Sequence, residues 1–123
     1  MIVLAVLSVL VAIGYPIYQS QMIEHRRTDG QKILLVIMNY QQKFHSRNSK
    51  YTLDLINELN LIDAGGGRVA SDNNFYLVSA TVCDVPTPIA NCVLLTATPQ
   101  DAQASDGPMT YNSRNVKTPI AHW

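Results

Sequence analysis

From Met1 to Tyr18 the chain reads MIVLAVLSVLVAIGYPIY, and no charged side chain appears before Glu24. Burying apolar surface is worth roughly 25 cal/mol per Å² removed from water, so a run this long left wet would drive aggregation. It has three hosts to choose from: a bilayer, a large protein core, or the same helix from neighbouring copies. The whole chain has 123 residues, about one domain. With the run set aside, roughly a hundred residues remain, enough for a small core of their own. They are too few to enclose a helix that is apolar on every side. A bilayer or neighbouring copies are therefore the expected hosts. The expected division is an apolar anchor and filament-core helix over residues 1–23 and a globular head over residues 24–123.

The run lacks the basic n-region that precedes the apolar stretch of a cleavable secretory signal, so it reads as a span or an assembly helix. At about 1.5 Å per residue it reaches roughly 27 Å, slightly short of a ~30 Å hydrocarbon core. Val3, Val6, Leu7, Leu10 and Ile13 are the expected assembly side chains. Pro16 has no N–H for the Ala12 carbonyl and its ring crowds that turn, while Gly14 adds a soft point. A kink or local melting is predicted at Gly14 and Pro16.

A helical pattern continues beyond the run. Ile33, Ile37, Tyr40 and Phe44 form one stripe of a 3.6-residue helix, widened by Leu34 and Met38, with Asn39, Gln41, Gln42 and Lys43 on the wet face. One long helix to about Ser46 is predicted, with Gly30 as a weak spot costing roughly 1 kcal/mol against alanine. After Ser49, Leu53, Ile56, Leu59 and Leu61 suggest a short helix capped by Thr52 and ended by Gly65-Gly66-Gly67. That triple glycine lacks the Gly-Lys-Ser/Thr of a phosphate loop and reads as an ordinary loop.

Residues 75–82 and 93–98 are rich in β-branched and aromatic side chains and read as an antiparallel hairpin, its loop kept out of the ladder by Pro86 and Pro88. Met109 to Asn112 with Val116 to Thr118 offers a third strand. The predicted class is α+β: a long kinked N-terminal helix against a small antiparallel sheet. Cys83 and Cys92 bound the hairpin loop and are too few for a zinc site. Their expected state is a disulfide, which implies an oxidising compartment.

Net charge is zero but uneven. Arg26, Arg27, Lys32, Lys43, Arg47 and Lys50 face only Glu24 and Asp29, whereas Asp54, Glu58, Asp63, Asp72, Asp84, Asp101 and Asp106 outnumber Arg68, Arg114 and Lys117 downstream. Complementary charge between stacked copies would make their assembly salt-sensitive. Catalytic patterns are lacking. His25, His45 and His122 are scattered, there is no Gly-x-Ser-x-Gly or His-Glu-x-x-His, and Asp54 with Glu58 reads as an exposed helix face. No enzyme, cofactor or metal is expected.

The opening Met-Ile-Val-Leu-Ala-Val-Leu, Gly14-Tyr15-Pro16, Gln41-Gln42-Lys43-Phe44 leading to Ser49-Lys50-Tyr51-Thr52, and the late Met109-Thr110-Tyr111-Asn112-Ser113 with Trp123 resemble the type IV pilins, most closely the minor pilins of the PilE type. The resemblance implies a subunit anchored in the inner membrane, trimmed by a prepilin peptidase, and passed by the pilus assembly machinery into a helical filament with other pilins at the bacterial cell surface. It also implies melting of the helix around Gly-Tyr-Pro on assembly. The family's processing site and nearby glutamate would precede Met1. Many PilE-like heads staple the C-terminal tail with a disulfide, whereas the matching places here read Gly107-Pro108 and His122-Trp123. Arg26 and Arg27 follow the span closely, which by the positive-inside rule favours the cytoplasm, but the expected disulfide needs the opposite orientation. Two related readings stand beside the pilus subunit: a type II secretion pseudopilin, and a minor pilin that captures DNA through Arg68, Arg114 and Lys117, with Arg47 and Lys50 nearby in sequence.

Overall fold

The computed structural model describes the backbone of residues 2–84 and 86–123, and the side chains of residues 22–123 apart from 85 and 102. Helix α1 spans Ile2–Asn48, 47 residues and about 70 Å of rise. Its end is set locally: Ser49 turns to a φ of 58°, its N–H closes on His45 O at 2.8 Å, and Asn48 Nδ2 covers Phe44 O at 3.1 Å. The helical assignment passes through Gly14 and Pro16 without interruption. The side chains of Val3, Val6, Leu7, Leu10 and Ile13, and those at the predicted kink, lie outside the described residues. Among the described residues no helix is long and apolar enough to cross a membrane.

Five strands follow, each hydrogen-bonded to its neighbour in sequence: β1 (Val69–Ala70), β2 (Tyr76–Val82), β3 (Val93–Pro99), β4 (Met109–Asn112) and β5 (Lys117–Thr118), all antiparallel. The predicted hairpin is β2 with β3, registered from Tyr76 opposite Pro99 to Val82 opposite Val93. Cys83 and Cys92 close its loop as a disulfide, Cα atoms 5.7 Å apart. The alternation of a strand sorts the side chains. Tyr76, Val78, Val93, Leu95, Ala97 and Met109 are buried against α1, and the opposite face carries Leu77, Ser79, Thr81, Leu94, Thr96, Thr98, Thr110, Asn112 and Thr118.

The structure corrects the rotation of the helix. Its buried line is Gly30, Leu34, Ile37, Met38 and Gln41, whereas Tyr40 is 41% exposed and Ile33 and Phe44 are only partly covered. Gly30 is the reason for part of this. A Cβ there would stand 2.9 Å from Tyr76 Cδ2 and closer still to Met109 Cε, so the missing side chain lets the helix sit down on β2 and β4. Gln41, read as wet, is fully buried because its amide answers both backbone groups of Thr52: Nε2 donates to Thr52 O at 2.6 Å and Thr52 N donates to Oε1 at 3.0 Å.

The short helix expected over residues 53–61 is a run of turns. Thr52 Oγ1 accepts from Asp54 N at 3.0 Å, and Asp54 Oδ1 accepts from Ile56 N at 3.1 Å and Asn57 N at 3.0 Å. These side chains give the backbone the partners a helix would have supplied. Leu55 and Leu59 still reach the core. The single predicted third strand is two strands, β4 and β5, folded at Asn112–Val116, and β1 was not read from the sequence.

Candidate functional site

Turning Tyr40 outward creates a groove at the outer end of α1. It is about 540 Å³ and is lined by Tyr40, Lys43, Phe44, Arg47 and Asn48 from the helix and by Glu58, Leu59 and Asn60 from the turns. The four helix residues Tyr40, Lys43, Phe44 and Arg47 fall on one flank by their i, i+3, i+4, i+7 spacing. The Lys43 ammonium stands over the Tyr40 ring, 5.8 Å from its centroid. Among the described residues the ion pairs are Arg27–Asp106, Lys32–Asp72 and His122–Asp106, so neither Lys43 nor Arg47 is neutralised by a carboxylate. Glu58 is the one acidic side chain of the groove.

The three basic residues singled out from the sequence are not brought together. Arg68 precedes β1 at one edge of the sheet, and Lys117 lies on β5 at the other, four inter-strand steps or about 19 Å away. Arg68 is exposed and donates from Nε to Gly65 O at 3.2 Å. The loop beside it is ordered by Asp63, whose Oδ1 accepts from the N–H of Gly65 at 2.8 Å and of Gly67 at 3.2 Å. Arg114 is exposed in the β4–β5 turn. Lys117 is half-buried, its ammonium 5.7 Å from the centroid of Tyr111 and 5.0 Å from that of Trp123. Between the two edges, the outer-face residues of β2 to β5 carry no charge.

The C-terminal tail is fastened without a disulfide. Arg27 donates to Asp106 from Nε at 2.6 Å and from a terminal nitrogen at 2.5 Å. His122 Nε2 lies 3.7 Å from the same carboxylate, and Gln31 donates to His122 O. The Arg27 hydrogen bond holds the Asp106 carboxyl below the usual carboxylate range, and His122 adds to the effect. Burial pushes the Tyr76 phenol up. Gln103 joins this cluster to the helix, donating to Tyr76 Oη at 3.0 Å and to Ile23 O at 2.9 Å.

Asp54 and Glu58 do not work as a pair. The Asp54 carboxylate accepts from the backbone and side-chain amides of Asn57 and from the backbone amide of Ile56, which hold its pKa down. Among the described residues no group of His, Cys, Asp and Glu is arranged to hold a metal ion.

One long helix laid on a five-stranded antiparallel meander is a pilin architecture. The structure is similar to that of a type IV pilin from Shewanella oneidensis, with a TM-score of 0.58 and 22% identity, covering 82% of this chain and 97% of that one. Over residues 16–110 the chain matches the family described as "Type IV minor pilin ComP, DNA uptake sequence receptor". The chain belongs to this family of type IV minor pilins. Nothing matches among the curated proteins.

Proposed function

We propose that this minor pilin is held in the inner membrane by residues 1–23, enters a surface filament with other pilins by packing that same helix, and binds DNA with its head through the groove at the outer end of α1. Processing by a prepilin peptidase and handling by the pilus assembly machinery belong to the same reading. The observation that carries the DNA part is the convergence of Lys43 and Arg47, without carboxylate partners, beside Tyr40 and Phe44. All four lie within the stretch matched by a family described as a DNA uptake sequence receptor, whereas Arg114 and Lys117 lie beyond it. The sheet's outer face offers phosphates hydroxyl and amide donors but no positive charge, which favours the groove or an edge over the sheet itself.

Phosphate contacts give an affinity that falls with salt by about 0.9 log units per contact and per tenfold salt on duplex DNA. Titrating labelled DNA with the full chain in detergent, at low and moderate salt, should show that fall. Lys43→Ala with Arg47→Ala should weaken binding and flatten the slope. Failure to bind at low salt ends the DNA reading, and loss of binding in Arg114→Ala with Lys117→Ala alone moves the interface to the β5 edge. For assembly, Val6→Asp or Leu10→Asp should abolish incorporation into filaments. Ordinary filament levels in those variants would remove the assembly role of the helix.

A further inference from the structure

We propose that the cavity at the inner end of the head, where Arg26 lies on Phe75, takes the phosphate of an anionic phospholipid headgroup and seats the subunit on the membrane surface before assembly; the inference rests on the reading above that residues 1–23 are held in a bilayer. The cavity is about 400 Å³ and opens between α1, which supplies His25, Arg26, Asp29 and Lys32, and the loop from β1 to β2, which supplies Asp72 and Phe75. Its charges do not cancel in pairs. Lys32 Nζ lies 3.0 Å from the Asp72 carboxylate. Asp29 is buried, and its oxygens accept from Ser71 Oγ and, at 3.3 Å, from the backbone and side-chain nitrogens of Asn73. Arg26 has no carboxylate partner among the described residues, and Glu24, two residues back on the helix, does not face it. The guanidinium carbon of Arg26 stands 4.6 Å from the centroid of the Phe75 ring, and its Nε is buried with no hydrogen-bond acceptor among the described residues. A buried donor without a partner is costly, more so on a charged group, so the arrangement calls for an acceptor from outside the head.

Position decides which acceptor. Arg26 lies one helical turn beyond residue 23, about 4.5 Å of rise, and a bilayer carries about 5 to 7 Å of headgroup on each side of its hydrocarbon core. Side chains on a helix tilt toward its N-terminus, which here is the membrane side, so the guanidinium sits at the depth of the lipid phosphates. A planar guanidinium stacked on an aromatic ring suits a phosphate, which it can meet with two parallel N–H donors. His25 and Lys32 add donors at the rim, and the Asp72 carboxylate can accept from a headgroup hydroxyl. A choline headgroup would bring a second cation beside Arg26 and Lys32, whereas phosphatidylglycerol brings a net negative charge and hydroxyls. The same contact accounts for a pair of arginines on the side of the span that the positive-inside rule disfavours. Arg27 is taken up by Asp106 within the head, and Arg26 is left for the lipid. The lipid stays behind when the subunit leaves the membrane for the filament.

The test follows the Arg26 Nε–H resonance of the full chain in neutral detergent micelles, assigned by its loss in Arg26→Lys, during titration with phosphatidylglycerol, phosphatidylcholine or inorganic phosphate. Phosphatidylglycerol should shift it to saturation and phosphatidylcholine should leave it nearly in place. Inorganic phosphate should shift it only at far higher concentration, since it lacks the acyl chains that hold a lipid beside the helix. Native mass spectrometry from micelles containing equal phosphatidylglycerol and phosphatidylcholine should find the first retained in preference. Arg26→Gln should reduce that preference about tenfold, while Lys50→Gln, the same change of charge at the other end of the helix, should not. Equal shifts with the two lipids, inorganic phosphate as effective as phosphatidylglycerol, or an unchanged preference in Arg26→Gln overturns the inference. A resonance that ignores all three and shifts only on filament assembly assigns the cavity to a neighbouring subunit's carboxylate and overturns it too. Cosedimentation of the chain with vesicles of phosphatidylcholine alone tests the anchor separately: its failure removes the membrane reading, whereas insertion without a preference for phosphatidylglycerol removes the headgroup site alone.

Discussion

Asp106 holds the head together at a point where four parts of the chain meet. Its side chain, 5% exposed, accepts from Arg27 of α1, lies beside Tyr76 of β2 and Gln103 of the 3-10 helix over Asp101–Asp106, and pairs with His122 of the tail. The tail therefore has an ionic fastening where the resemblance to PilE-like heads led one to look for a covalent one. Because the Arg27 hydrogen bond depresses the folded-state pKa of Asp106, the stability it contributes is present above the unfolded value of about 4 and is lost as pH falls through the folded value. Asp106→Asn should cost about 2 kcal/mol near neutrality and should lose less than the native chain on acidification. Urea unfolding of the two proteins near neutrality and at about pH 3 measures this, and equal acid sensitivity would contradict it. No pattern in the sequence marked Asp106, since its partners Arg27 and His122 are far from it along the chain. Gln41 was misread for a related reason: a glutamine at a wet-looking position is polar by type, and only the fold shows that the backbone of Thr52 has been brought to it.

Among the elements, the β2–β3 hairpin was the most legible, because β-branched alternation, a proline-containing loop and the flanking cysteines all indicate the same register. Its staple has a calculable effect. Replacing Cys83 and Cys92 with serine releases a loop of sequence separation 9, which should destabilise the head by roughly 2 to 3 kcal/mol. Denaturant unfolding of oxidised native chain and double variant checks the figure, and DNA affinity should be unchanged. The turns over residues 53–61 were less legible, since Leu53, Ile56, Leu59 and Leu61 fit a helical period while Thr52 and Asp54 compete for the same amides. At two residues, β1 is too short to leave a periodic trace. Gly30 was assigned a propensity cost when its function is contact. Gly30→Ala improves intrinsic helicity by roughly 1 kcal/mol but forces Met109 and Tyr76 aside, an overpacking cost of about 1 to 3 kcal/mol. A lower unfolding midpoint in Gly30→Ala is expected, and a higher one would show that the helix and sheet can separate cheaply.

At the scale of the molecule, the long helix and the α+β class were readable because an unbroken apolar run followed by an amphipathic one leaves few packings open. The proposed binding surface was not. Sheet order separates Arg68 from Lys117, and the rotation of α1 decides that Tyr40 faces a groove instead of the core. The same geometry bears on how the molecule divides. Among the described residues, the buried apolar core runs from Leu34 to Met109, and the clasp at the inner end of the head reaches back along the helix to Ile23 O. A fragment beginning at Met22 keeps all of these contacts, so it should fold cooperatively, stay monomeric without detergent, and unfold within a few degrees of the full chain in micelles. Circular dichroism melting with size-exclusion chromatography provides the comparison. If the fragment melts without a cooperative transition while the full chain retains one, residues before Met22 are part of the head, and the division into an assembly helix and an independent globule has to be redrawn.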